Sequence, residues 1–88
     1  MTNKNKLSHA YLYSDIETIK SIFIQLCSKR NFLDRWFDKF IDMYDTKMNS
    51  QDRSSPIWKK YFERFSEYEE LTSDIRTAEY YLRKSNNV

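Results

Sequence analysis

Residues 32–48 read FLDRWFDKFIDMYDTKM and carry the clearest structural signal in the chain. On a helical wheel at about 100° per residue, their apolar side chains fill one half of the circle and acidic or basic side chains fill the other. The pattern predicts an amphipathic helix. Because a half-circle of apolar side chains is wider than one neighbouring helix covers, we expect this helix to contact at least two neighbours.

A second amphipathic pattern precedes this stretch. Ser14 and Glu17 have the spacing of a capping box. In this motif each of the two side chains accepts a hydrogen bond from the backbone N–H of the other residue. The apolar residues that follow at helical spacing are Ile16, Ile19, Phe23, Leu26 and Cys27. These features predict a helix from about residue 14 to about residue 29.

The junction at residues 28–31, which read SKRN, leaves two architectures open. Asn31 can cap a new helix with Asp34 as its partner, and Arg30 interrupts the apolar seam, which favours two separate helices. One heptad phase nevertheless continues from Ile16 to Tyr44 and would fit a single helix over residues 15–48. We favour the break, and therefore an all-α, antiparallel three-helix bundle. The alternative is a long helical hairpin that dimerises into a four-helix bundle.

The dipeptide Ser55-Pro56 predicts the start of the last helix. Serine is a good cap, and proline fits the first helical turn because its missing N–H would be unpaired there. No helix breaker follows before Ser85, so this helix is expected to run for about 29 residues at most. The 88 residues are then one helical domain, 1–88, in which residues 1–6 and 86–88 are expected to be disordered.

The composition excludes several classes of site. The chain has no glycine, so it cannot form a glycine-rich phosphate loop. A single Cys27 and a single His9 cannot build a Cys/His zinc site, and no spacing typical of a catalytic constellation occurs. We therefore expect a protein without metal, cofactor or enzymatic activity. No apolar run approaches the roughly 20 residues of a membrane span, which predicts a cytoplasmic protein.

Basic residues cluster around the predicted start of the last helix. The members that point to an anion or nucleic-acid site are Arg53, Ser55, Lys59, Lys60 and Arg64. Cations at a helix N-terminus oppose the helix dipole, a conflict that a bound phosphate would relieve. The alternative is a solvated basic turn with Trp58 in the core, since the net charge of +2 is weak for a nucleic-acid-binding protein.

Aromatic residues are the remaining functional signal. Fifteen of the 88 residues are aromatic, more than a core of this size needs. Tyrosine and tryptophan with arginine are typical anchors of protein interfaces. The residues predicted to bind a partner are Tyr80, Tyr81, Arg83, Lys84, Tyr11 and Tyr13. The alternative is that residues 7–13 fold back and cover the end of the last helix.

These features predict a non-enzymatic helical protein that docks on a partner protein and modulates or inhibits it. Alanine, glycine and proline are scarce, while residues with AT-rich codons abound, as in phage and mobile-element genes. We therefore expect a phage or mobile-element factor that acts against a host enzyme or defence system in the host cytoplasm. The alternative is a small RNA- or DNA-binding accessory protein, and a homodimer is compatible with either function.

Overall fold

The fold, described for residues 2–86 by a computed structural model, consists of three α-helices and the two short segments that join them. They are α1 (Asn3–Leu12), α2 (Ile16–Ser50) and α3 (Pro56–Asn86). The long helices α2 and α3 form an antiparallel hairpin in a molecule 54 Å long, and α1 packs against both of them. The predicted all-α three-helix bundle is confirmed, although its three helices differ from the predicted ones.

The helix α2 is continuous, and the predicted break at residues 28–31 is wrong. Asn31 is exposed in the middle of α2 rather than at a helix start. The buried residues of the central seam, at seven-residue steps, are Ile19, Leu26, Leu33 and Phe40. The continuous heptad phase decided the outcome because every turn of α2 presents an apolar side chain to the same side. A capping asparagine cannot end a helix that packing stabilises on both sides of it.

The N-terminal helix α1 includes residues predicted to be disordered. Residues 3–6 form its first turns, and the Thr2 side chain caps it by accepting from the backbone N–H of Asn5 at 3.2 Å. Leu7 and Ala10 are buried, and this tertiary contact stabilises a helix too short to form alone. The predicted disorder of residues 1 and 87–88 lies outside the described residues, and Asn86 ends α3.

The corner between α1 and α2 is closed by a Schellman motif and a helix cap that share one residue. The backbone N–H of Ser14 donates to the Tyr11 carbonyl at 3.1 Å, and that of Asp15 donates to the Ala10 carbonyl at 2.8 Å. Ser14 has a φ of 55°, the left-handed region in which glycine is usual. The Asp15 carboxylate then accepts from the Thr18 hydroxyl at 2.6 Å and from its backbone N–H at 3.2 Å. The N-cap of α2 is therefore Asp15 and not the predicted Ser14. Ser14 instead belongs to the Schellman motif at the C-terminus of α1.

Two hydrogen bonds stabilise the short loop between α2 and α3. The Trp58 indole N–H donates to the Met48 carbonyl at 2.9 Å, which ties the start of α3 to the end of α2. The Asp52 carboxylate accepts from the backbone N–H of Ser54 at 3.4 Å. The predicted start at Ser55-Pro56 is correct, but the Ser55 hydroxyl oxygen is buried and makes no hydrogen bond, so it does not cap the helix.

The core has two parts along the hairpin. Where α1 lies between α2 and α3, one compact cluster contains Leu7, Ala10, Ile19 and Ala78. Toward the α2–α3 loop the contact is made by two helices alone and is largely aromatic, with Phe37 meeting the rings of Tyr61, Phe65 and Tyr68. We call the first part the covered end and the second the open end.

Candidate functional site

A groove runs along the hairpin between α2 and α3, on the side where α1 lies. The helix α1 fills the groove at the covered end, and its first residue, Asn3, lines a depression in the groove together with Lys29 of α2 and Leu71 of α3. From Lys29 to the end of α2, none of the helices formed by residues 2–86 lies in the groove. This uncovered part, which we call the open groove, is about 30 Å long at 1.5 Å per residue.

The depression next to α1 has a volume of about 570 Å³ and a mixed charge. Lys29 and Arg64 line it together with the carboxylates of Glu67, Glu70 and Asp74. Asp74 is the only charged residue that is buried in the described part of the chain. The first turn of α1 contains no acidic residue of its own. The α3 carboxylates that line the depression with Asn3 lie at this N-terminus, which is the positive end of the α1 dipole. We call this the acidic depression.

A second depression, near the α2–α3 loop, has a volume of about 520 Å³ and an apolar floor. Its apolar lining includes Trp36, Phe40, Met43 and Ile57. Its charged residues are Lys39 and Lys60, one from each helix, and no carboxylate lines it. We call this the basic depression.

Apolar side chains in the open groove are exposed to an unusual degree. Phe32 is 62% exposed and Met43 is 70% exposed, although both lie on the apolar side of α2. Between the two depressions the Arg64 guanidinium lies over the Trp36 ring, 5.5 Å from its centre, and pairs with Glu67 at 3.1 Å. The groove is therefore one surface with an acidic end, a central arginine on an aromatic ring, and a basic apolar end.

The structure brings together only two of the predicted anion-binding residues, Arg53 and Lys59. Arg53 lies over the Trp58 ring at 5.4 Å, and with Lys59 it lines a shallow depression outside the groove. Lys60 lies in the basic depression and Arg64 in the acidic one. Successive helical residues are about 100° apart, so Lys59 and Lys60 face different sides. The Ser55 hydroxyl is buried and unpaired.

The aromatic residues Trp58 and Tyr61, next to the predicted anion or nucleic-acid site, are packed within the hairpin. Trp58 is half-buried, donates to the Met48 carbonyl and contacts the Tyr61 ring, 5.7 Å between centres. Tyr61 in turn contacts Phe37 and Phe65. These rings stabilise the open end of the hairpin from the inside, which is the alternative given above for Trp58.

The residues predicted to bind a partner lie at the covered end, where α1 covers some of them. Tyr81 stacks on Tyr11 with 4.6 Å between ring centres, and its hydroxyl shares a hydrogen bond of 2.9 Å with that of Ser8. Part of the segment 7–13, for which the alternative proposed such a fold, thus covers Tyr81 and Leu82 but not the rest of the end of α3. The predicted residues that remain exposed are Tyr11, Tyr13, Tyr80, Arg83 and Lys84.

The open groove was not predicted from the sequence, but one signal pointed to it. The apolar half-circle of residues 32–48 indicated two neighbours for this stretch, and the structure supplies only α3 there. The surplus apolar flank carries Phe32, Trp36 and Met43. A surplus of this kind on one predicted helix face marks a surface that the chain leaves open.

No protein-family model, curated protein sequence or solved structure matches this chain. In residues 2–86, no group of three or more His, Cys, Asp or Glu side chains is placed to hold a metal ion. Within the same residues, each helix lacks the apolar length needed to cross a membrane.

Proposed function

We propose that the protein is a non-enzymatic binding module that docks onto a partner protein through the open groove. The observation that carries this proposal is the exposure of Phe32 and Met43 beside Trp36 in a groove whose other end already holds a helix. Aromatic residues, methionine and arginine are the side chains enriched in protein interfaces, and all of them line this groove.

A helix in a groove is a common mode of protein recognition, in which apolar residues at three- and four-residue spacing enter an apolar cleft. The contact of α1 with α2 and α3 is an intramolecular example, with Leu7 and Ala10 as the inserted side chains. At its covered end the groove is therefore of a width that suits a helix. The abundance of residues with AT-rich codons supports a phage or mobile-element origin. The partner we propose on that basis is a host enzyme or defence component in the host cytoplasm.

Affinity capture from the cells that encode the protein tests this proposal. We expect the wild-type chain to retain one stoichiometric protein in the presence of nuclease. Met43→Glu places a charge in the groove and should abolish retention, whereas Ile24→Glu should not. Ile24 is a matched control because it is 64% exposed on the same helix and lies outside both depressions.

Equal retention by the wild type and Met43→Glu would refute docking through the groove. Recovery that depends on nucleic acid and is lost with Lys59→Glu would favour the RNA- or DNA-binding function instead. In that case the affinity of the purified protein for nucleic acid should fall steeply as salt rises.

A further inference from the structure

We infer that the partner segment is an amphipathic helix that continues the line of α1 along the open groove, with acidic residues at its N-terminal end and basic residues at its C-terminal end. This inference rests on the proposed function and specifies the chemistry and the direction of the bound segment.

The first step concerns the space. Asn3 of α1 lines the acidic depression beside Lys29, and α2 continues to Ser50. A helix laid in the remaining groove extends over about 20 residues at 1.5 Å per residue. It meets apolar side chains of α2 at three positions in succession: Phe32 and Met43 are exposed, and Trp36 is half-buried. The apolar face of such a helix therefore needs side chains over about three turns or more.

The second step concerns the charges on the two sides of the groove. Lys39 and Lys60 line the basic depression with no carboxylate beside them, so the segment that binds there should carry Asp or Glu next to its apolar face. In the acidic depression three carboxylates outnumber the two cations Lys29 and Arg64. Glu67 pairs with Arg64 and Asp74 is buried, so Glu70 is the exposed carboxylate that a bound segment meets. The segment that binds there should carry Lys or Arg.

The third step concerns direction. Helices are stabilised by acidic residues near their N-terminus and basic residues near their C-terminus. A helix with that ordinary distribution matches the groove only if its N-terminus lies at the basic depression and its C-terminus meets Asn3. Its C-terminal dipole then faces the N-terminal dipole of α1, which is an attractive arrangement. The bound helix and α1 would run head to tail along one groove.

Two synthetic peptides of equal composition test this inference. Each has about 18 residues, an apolar face of leucine and phenylalanine at helical spacing, and a hydrocarbon staple that makes both fully helical. The forward peptide carries glutamates in its N-terminal half and lysines in its C-terminal half, and the reverse peptide has the opposite order. Fluorescence anisotropy of the labelled peptides measures their affinity for the full 88-residue chain.

We expect the forward peptide to bind about tenfold more tightly than the reverse peptide. Met43→Glu should weaken the forward peptide about tenfold or more, while Ile24→Glu changes its affinity less than about twofold. Lys60→Glu should weaken it about fivefold, and the adjacent Lys59→Glu, which faces outside the groove, should leave it unchanged. Circular dichroism of each variant establishes that it remains helical.

Three results would overturn the inference. The first is equal affinity for the two peptides, and the second is no binding of either. The third is a wild-type dimer that Met43→Glu converts to a monomer in sedimentation, because a second copy would then occupy the groove. If Met43→Glu still loses the cellular partner while the peptides fail to bind, the proposed function stands and only the chemistry assigned to the partner is wrong.

Discussion

At the covered end α1 lies between α2 and α3 and buries Ile19 and Ala78 completely, whereas at the open end the same groove leaves Phe32 and Met43 exposed. Both ends are built from the same two helices. The difference lies in α1, which has 10 residues and covers only one end of the 35-residue α2. At the covered end a helix in the groove buries the apolar side chains of α2 and α3. The open end lacks such a helix among the described residues.

The largest expected effect on stability is at the covered end. Leu7 is fully buried in the cluster between the three helices, so Leu7→Ala should lower the free energy of unfolding by about 3 kcal/mol. Leu12→Ala is the matched control on the same helix, because Leu12 is 78% exposed, and it should cost less than about 0.5 kcal/mol. Urea denaturation measures both values. Equal effects of the two substitutions would mean that α1 is not docked.

A smaller loss is expected at the open end from the hydrogen bond that ties α3 to α2. Trp58→Phe removes the indole donor and leaves the Met48 carbonyl without this partner, which should cost about 1 kcal/mol. Trp36→Phe makes the same change of ring at a stacked position and serves as the control. If Trp36→Phe costs as much as Trp58→Phe in urea denaturation, loss of ring area and not of the hydrogen bond explains both.

The corner that holds α1 in place should make stability depend on pH. The hydroxyl and then the backbone N–H of Thr18 hold the pKa of the Asp15 carboxyl below its ordinary value. Because the folded-state pKa is the lower one, the stabilisation is present above the unfolded-state pKa of about 4 and is lost as the pH falls through the folded-state value.

The comparison with Asp15→Asn isolates this effect, since asparagine keeps a capping oxygen without the charge. The wild type should be the more stable of the two at pH 7, and the difference should shrink as the pH falls through the folded-state pKa of Asp15. Denaturation midpoints across this range measure the difference. A difference that is constant with pH would show that the charge of Asp15 contributes nothing to the cap.

The smallest expected effect on stability is at the residue expected to matter most for binding. Met43→Glu should change the free energy of unfolding by less than about 0.5 kcal/mol, as should Ile24→Glu, because both side chains are largely exposed. Thermal denaturation of the isolated protein measures both. A loss comparable to that of Leu7→Ala would mean that Met43 is already buried in solution, for example against a second copy.

Local sequence patterns predicted parts of the two long helices, but neither the continuity of α2 nor the helix that covers the hairpin. The apolar half-circle of residues 32–48 and the Ser55-Pro56 start are signals within one helix, and both correspond to helices in the structure. The helix α1 has only two buried side chains, Leu7 and Ala10, so its periodicity is too short to recognise. Its stability comes from residues as distant in the chain as Tyr81.

The candidate site was missed for a related reason. Arg53, Lys59, Lys60 and Arg64 were grouped because they are close in sequence, but the structure divides them between two surfaces: Lys60 and Arg64 line the groove, and Arg53 and Lys59 lie outside it. Phe32 and Met43 are 11 residues apart and share a surface because 11 residues complete about three helical turns. The apolar side chains that stay uncovered are set by the position of Asn3, the first residue of α1, in the groove. A local sequence pattern does not predict that position.

The hydrogen bond between Ser8 and Tyr81 joins residues that are 73 positions apart. The helix α1, which is made before α2 and α3, thus completes its contacts only after the end of α3 has folded back, whereas the α2–α3 turn closes a loop of five residues. Loop closure is entropically easier for short segments, so we expect the hairpin to form before α1 docks. During that interval α1 is absent from the groove, and α1 and any other amphipathic helix nearby compete for the apolar cleft of the covered end.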